Sequence, residues 1–336
     1  MPDAPAESEA KMQVGMRKVL MATLYGAGGA FFNYRPVFLA SVVSVQQMGQ
    51  MVFIGSVLTT FTNPIISAVA DSLRAQRALM LLSAGGQALC QLAMLMPGLG
   101  YRGLLILVSL HKLVGEHAFP ILDSSTVASC GDLYGPIRQY GAIGFGVAAL
   151  GGGALISALG SPNARANYIM CFGAASVMQL ISLPMLARLD YTALQRKPPA
   201  EGGADSGEAG GVSAMLGLLG SPKILFFMVI VFFSGFQGSL IDTFLNVHLG
   251  NEGASGLLMG VARFLTCAAE VPFFRIAPKV LKTLGVSGSL AAGQLAYLLR
   301  FLCYDNLVTI ASLGPWGLWA VLPVELLHGL TFAVNW

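Results

Sequence analysis

The chain has 336 residues, of which 55% are hydrophobic and 10% charged, with 41 glycines and a formal net charge of +3. A mean hydropathy of +0.71 excludes a water-soluble enzyme, because soluble domains carry about 25% charged residues. So small a net charge, with no Lys/Arg cluster or aromatic-basic stripe, also excludes nucleic acid as a partner. The partner that remains is the lipid bilayer, each crossing of which takes roughly 20 apolar residues.

The first 18 residues are expected to be a cytosolic tail, disordered over 1–15. Lys11, Arg17 and Lys18 follow acidic residues, the reverse of a secretory leader. Apolar runs then predict ten helices at about 19–40, 46–68, 78–97, 103–122, 139–160, 166–187, 224–246, 255–276, 285–305 and 316–336. With the N-terminus cytosolic, thirteen Lys and Arg residues of the tail, loops and linker fall on one side and only Arg102 and Arg165 on the other. Positively charged loops stay inside, so this asymmetry supports the helix parity and a multi-pass protein with a cytosolic N-terminus.

Residues 188–222 are polar and rich in Gly, Ala and Pro, and read as a cytosolic linker between an N-terminal six-helix bundle (19–187) and a C-terminal bundle (223–336). Asn63-Pro64 precedes Val271-Pro272 by 208 residues, and the basic loop at 71–77 has a counterpart at 275–282. Such an offset is what duplicated halves produce. On that scheme helices 5 and 6 have no counterparts after helix 10, as expected of a truncated gene model or, alternatively, of a ten-helix form.

Ionisable groups inside spans cost about 2.5–3.5 kcal/mol each and must find partners or line a wet cavity. Lys112, Glu116 and Asp123 share one stripe of helix 4, where Lys112 and Glu116 form either a structural intrahelical pair or part of a substrate site. Helix 7 carries Gln237, Asp242 and Asn246; helix 8 carries Arg263 and Glu270 on one face; helix 10 carries Glu325 and His328. Arg35, before Pro36 at the end of helix 1, is expected to snorkel to the headgroups. His111, His117 and His248 lack ligand spacing, and Cys90, Cys130, Cys171, Cys267 and Cys303 read as small apolar residues, so neither metal nor cofactor is expected. Glycines at 26, 28 and 29 and at 141, 144, 146 and 151–153 lie inside spans, where they permit close helix approach.

Three segments carry a family resemblance. The loop SAVADSLRAQR (67–77) keeps Asp71 and a downstream Arg77 of a G-x-x-x-D-R-x-G-R-R-x pattern, with Ser67, Ser72 and Arg74 replacing Gly, Arg and Gly. The others are FPILDSSTVASCGDLYGPIRQYGAIGFG (119–146), and EVPFF (270–274) with WAVLPVELLHGLTF (319–332). Together they resemble the branch of the major facilitator superfamily that includes the lactose permease and the phenylpropionate and nucleoside proton symporters. The resemblance implies an all-α membrane protein of two six-helix bundles, monomeric, that carries a small polar solute such as a sugar, nucleoside or carboxylate.

By the same resemblance, Asp123, Arg138, Phe145 and Arg300 match substrate-holding positions, and Glu270 is added to them from its place on helix 8. His328 matches the helix 10 histidine, but the acidic residue stands at Glu325 rather than beyond it, so Glu325 with His328 becomes the expected proton-coupling pair, driven by a proton gradient. Asp71, Arg74 and Arg77 are the expected conformational gate; for Asp123 and Arg138 a gate or anchoring salt bridge is an equal reading. The alternatives to proton symport are an uncoupled facilitator of the same fold, and a transporter-derived receptor or scaffold.

Overall fold

The computed structural model describes residues 4–160, 165–195 and 220–333, and among these there is no strand. Six segments are long and apolar enough to cross a membrane: Val45–Ser72, Tyr101–Leu159, Ala166–Arg188, Pro222–Asn251, Gly256–Phe273 and Lys279–Asp305. The elements that place the site are α1 (Ala4–Phe32), α2 (Arg35–Val42), α3 (Val45–Ser72), α4 (Gln76–Met94), α5 (Tyr101–Gly115), α6 (Ala118–Cys130), α7 (Tyr134–Leu159) and α8 (Arg165–Arg188). After the short α9 (Thr192–Gln195) come α10 (Pro222–Asn251), α11 (Gly256–Asp305), α12 (Leu307–Ser312), α13 (Leu322–Glu325) and α14 (His328–Ala333). Most of the expected linker, residues 196–219, lies outside the described residues.

The structure departs from the expected helices at five places. The tail is helical from Ala4, because Gln13 and Arg17 are tied into the bundle. Arg17 is 1% exposed and donates to Ser125 Oγ (2.9 Å), Ser129 Oγ (3.0 Å) and the Asp190 carbonyl (2.8 Å), joining α1 to α6 and to the chain beyond α8. Helix 1 breaks at Asn33-Tyr34 and helix 4 at Glu116-His117. Each break lies four residues or fewer before a proline, Pro36 or Pro120, whose ring displaces the carbonyl four positions back and which has no N–H to offer it.

The fourth departure is the basic loop expected at 275–282, which is helical instead. The chain turns only at Gly285, whose φ of 66° and ψ of 177° suit glycine and few others. The fifth is the last expected span, which divides into a 3-10 turn (Gly317–Val321), α13 and α14. Pro323 at the head of α13 is accommodated where no helical N–H is needed.

Helix ends are fixed by local chemistry. Ser44 Oγ accepts from Gln47 N (3.2 Å) and Gln47 Oε1 accepts from Ser44 N (3.2 Å), a reciprocal cap that starts α3. Ser255 Oγ does the same for Leu258 N at the head of α11 (3.2 Å).

The glycines expected to permit close approach do so at the α1–α7 and α7–α11 crossings. A Cβ at Gly29 would overlap the Phe145 carbonyl oxygen, and one at Gly144 would overlap that of Ala22. One at Gly153 would overlap the Gly256 carbonyl in the same way. Tyr34 donates its hydroxyl to the Ala149 carbonyl beside the second crossing. An apolar cluster around Phe31, Phe38, Tyr168 and Phe172 continues through Ile241, Leu258 and Met259, so residues 4–195 and 220–333 share one core.

Gly144→Ala is therefore expected to lower the thermal-unfolding midpoint of the detergent-purified protein, corresponding to about 1–3 kcal/mol of overpacking. Gly151→Ala, where nothing lies within 4 Å, serves as the matched control; equal midpoints for the two variants would show that α1 and α7 do not meet as described.

Candidate functional site

Between the two groups of helices lies a cavity of about 870 Å³. Both proline-associated breaks border it, bringing Asn33 and Arg35 from the first helix and Glu116 from the fourth into its wall. Broken helices at the centre of a membrane protein expose polar backbone only where protein or a wet cavity can satisfy it. Here Ser83 Oγ (3.0 Å) and Gln87 Nε2 (2.7 Å) both donate to the Gly115 carbonyl that the break frees.

On the N-terminal wall, Lys112 Nζ lies 3.4 Å from Glu116 Oε1, as the four-residue spacing predicts. The pair is more than intrahelical. Lys112 also donates to Ser56 Oγ (2.8 Å), and Glu116 Oε2 accepts from Asn63 Nδ2 (3.2 Å), so both bind α3 and line the cavity. On the opposite wall, Arg263 Nη1 donates to Asp242 Oδ1 (2.8 Å) and its Nε donates to Asn33 Oδ1 (3.0 Å). Asn246 Nδ2 donates to the same Oδ1 at 2.9 Å and to the Asn33 carbonyl at 2.8 Å. Asn33 thus joins the two halves at the end where Leu257 N also donates to Ser157 Oγ (2.7 Å).

Behind the cavity, the structure brings Glu270, Arg300, Glu325 and His328 into one network, although they are far apart in sequence. Arg300 Nη2 donates to Glu325 Oε2 (3.1 Å), Tyr304 donates to Glu325 Oε1 (2.5 Å), and Arg300 Nε donates to the Tyr304 hydroxyl (2.9 Å). Arg300 Nη1 meets His328 Nδ1 at 3.2 Å. A guanidinium can only donate, so Nδ1 is the acceptor and the ring proton sits on Nε2. That nitrogen lies 3.3 Å from Glu270 Oε1, completing the chain with a neutral imidazole.

The other expected site residues are placed differently. Asp123 and Arg138 do not border the cavity: Asp123 Oδ2 accepts from the Tyr25 hydroxyl (2.6 Å), and Oδ1 lies 3.5 Å from Arg138 Nε. Arg138 also stacks on the Tyr25 ring, 4.1 Å from its centroid. Phe145 and His328 are in the cavity wall; Glu270, Arg300 and Glu325 sit behind it. At the expected gate, Asp71 Oδ1 accepts from Gln76 Nε2 (2.9 Å), and Arg74 adopts φ 52° in the turn. Arg77 donates to the Leu189 carbonyl (3.4 Å) over the Tyr191 ring, and burial pushes the Tyr191 phenol up to about 12.

Sequence reasoning misplaced Arg35 at the headgroups; the break at Asn33-Tyr34 turns it into the cavity instead. It named Lys112, Glu116, Asp242 and Arg263 as buried charges without assigning them to one cavity. Asn33 was not singled out by the sequence, and Asn63 stood out only with Pro64 as a mark of duplication, not as a cavity residue.

A family model, that of the MFS_1 like family, matches residues 17–336. The chain belongs to that family. It is an integral multi-pass membrane protein, and its family is one of transporters rather than enzymes. The chain is similar to a major facilitator superfamily domain-containing protein 6-like of Mus musculus, 26% identical over 125 residues, which is 37% of this chain and 20% of that protein. It is also similar to the 6-like protein B of Xenopus laevis, 30% identical over 122 residues, or 36% and 19% of the two chains. The matched stretch thus spans about a fifth of the length of these relatives. Among solved structures, the nucleoside transporter NupG superposes with a TM-score of 0.73 at 14% identity, covering 96% of this chain and 80% of that one. A mutant form of NupG gives 0.75 over the same shares. The all-helical major facilitator fold is thereby established.

Arg300→Ala leaves Glu325 buried with an unbalanced charge, a change that costs about 3–5 kcal/mol in comparable pairs. The expected result is a large fall in the unfolding midpoint for Arg300→Ala that the double variant with Glu325→Ala partly restores. Additive losses would show that the two side chains are not paired.

Proposed function

We propose that the protein is a secondary transporter of a small polar solute, a sugar, nucleoside or carboxylate, working as a proton symporter by alternating access. The observation that carries this reading is the hydrogen-bonded chain from the cavity-lining His328 to Glu270 on one side and through Arg300 to Glu325 on the other. A proton carrier needs a carboxyl shielded from water and a cation whose pairing discharges it. Glu325 has both, with Arg300 as the cation. When Glu325 is protonated the ion pair with Arg300 is lost while Arg300 keeps its hydrogen bonds to Tyr304 and His328, so loading changes the links between α11 and α13. His328, neutral and bonded on both ring nitrogens, is the group through which the cavity and Glu325 communicate.

Solute entering the cavity meets Phe145 directly, while Glu270 and Arg300 act from behind His328. NupG is by its title a nucleoside transporter, and nucleosides stay among the solutes considered. Asp123 and Arg138, held by Tyr25, serve this reading as an anchoring pair at the foot of α7 that substrate need not touch. Asp71, Arg74 and Arg77 form the gate, with Arg77 clasping α4 to the end of α8. The contacts between halves gather where α1, α7, α10 and α11 meet at Asn33, Gly153, Asn246 and Gly256. With a cytosolic N-terminus, that end is the outer one, and the conformation is closed to the outside.

In proteoliposomes, Glu325→Gln is expected to abolish accumulation against a gradient while retaining solute exchange at near the parent rate. Uphill transport that survives this substitution removes Glu325 from the role of carrier.

A further inference from the structure

The charges that line the cavity do not balance. Lys112 is neutralised by Glu116 and Arg263 by Asp242, at 3.4 and 2.8 Å. Arg35 is the third cation of the wall, and among the described residues no carboxylate lies within ion-pairing distance of it. Its Nε is buried and has no hydrogen-bond partner. The two histidines of the wall do not change the sum. His328 is neutral for the reason given above. His111 Nε2 lies 3.4 Å from the amide nitrogen of Gln91, a donor only, so that ring also accepts and is uncharged.

The side chain is held ready rather than left loose. The Arg35 guanidinium carbon lies 5.7 Å from the Phe31 ring centroid and 5.5 Å from that of Phe32. Such stacking uses the flat faces of a guanidinium and leaves its N–H edge for an acceptor. The same cavity is lined by Phe119 and Phe145 from the N-terminal group of helices and by Phe332 from the C-terminal group, an apolar surface on which the uncharged part of a solute can rest.

We propose that the solute is an organic monoanion with an apolar body, its anionic group held by Arg35 and its body laid against Phe119, Phe145 and Phe332. This rests on the transport reading for what happens after binding, though the binding itself does not. One charge on the solute pairs the one cation of the wall that has no carboxylate of its own. A buried cation that is paired can be closed off from water at lower cost than one that is alone. A neutral solute would leave Arg35 to be desolvated alone, and a cation would meet it with repulsion. A guanidinium pairs the two oxygens of a carboxylate with two parallel donors, a fit that an ammonium at this position lacks.

The test uses an acid and its amide of nearly the same shape, cyclohexanecarboxylate and cyclohexanecarboxamide, with the full chain in zwitterionic lipid nanodiscs. Binding is read by calorimetry and by the shift in unfolding midpoint, since a ligand of the folded state raises it. The acid is expected to bind and the amide to bind at least about tenfold more weakly, in keeping with a charge-assisted hydrogen bond. Arg35→Gln is expected to lower acid affinity to that of the amide while leaving amide binding unchanged, which also reports that the variant is folded; Arg35→Lys restores part of the loss. Equal affinity for acid and amide, no binding of the acid at millimolar concentration, or an acid affinity indifferent to Arg35→Gln overturns the proposal.

Nanodiscs containing phosphatidylglycerol separate a solute from a lipid headgroup. Loss of acid binding there would assign Arg35 to the headgroup and sink the solute reading. Uptake of the acid into liposomes is measured apart: binding without uptake upholds the anion site while ending the transport reading. Uptake of acid and amide alike, unaltered in Arg35→Gln, overturns the anion site and leaves transport standing.

Discussion

Arg300 and Glu325 face each other across 3.1 Å with 2% of each side chain exposed, in a part of the molecule where no bulk water can take over the role of either. Moving one charge into such surroundings unpaired is so costly that the geometry of everything nearby follows from the need to pair them. The Tyr304 hydroxyl takes the second carboxylate oxygen, and His328 and Thr331 take the remaining guanidinium edge. The broken course of residues 317–333 has the same consequence: short helical pieces can present Glu325, His328 and Thr331 to one arginine at once. The same constraint, relaxed by one charge, describes the cavity, where two of three cations are paired and Arg35 is not.

Close packing supplies the frame for these charges. The carbonyl of Phe145 fills the space where Gly29 lacks a side chain, and the carbonyl of Ala22 does so at Gly144. In lipid there is no hydrophobic force between helices to compensate for a poor fit, so backbone approach at small residues is the main source of specificity. The crossing of α7 on α11 at Gly153 and Gly256 uses the same device between the two halves. Beside these backbone contacts, Asn33 accepts from Asn246 and Arg263, and Ser157 accepts from Leu257 N.

Prolines decide where the cavity is. Pro36 and Pro120 stand just past the breaks in the first and fourth helices, and the residues on either side, Asn33, Arg35 and Glu116, turn into the space between the halves. The freed Gly115 carbonyl is met by Ser83 and Gln87 from α4. Buried polar side chains of α4 thus support the cavity wall on a neighbouring helix, and the polar residues of that wall hold one another.

The sequence by itself determined the membrane class, the all-helical fold and the family, because apolar runs of span length and the spacing of charged loops depend only on local composition. It also identified the buried charges, since a carboxylate or guanidinium in an apolar run stands out wherever it falls. It named the pairs Lys112–Glu116 and Asp123–Arg138 but not Arg263–Asp242. Asp123 and Arg138 read equally as a solute site and as an anchoring salt bridge, and it took the structure to set Tyr25, far from both in sequence, against the pair. Arg35 read as a snorkelling residue on a continuous helix, and a short break turned it inward. Only the tertiary structure decided these matters, because pairing depends on where distant helices cross, and the crossings are set by glycine contacts and proline breaks acting together across the whole chain.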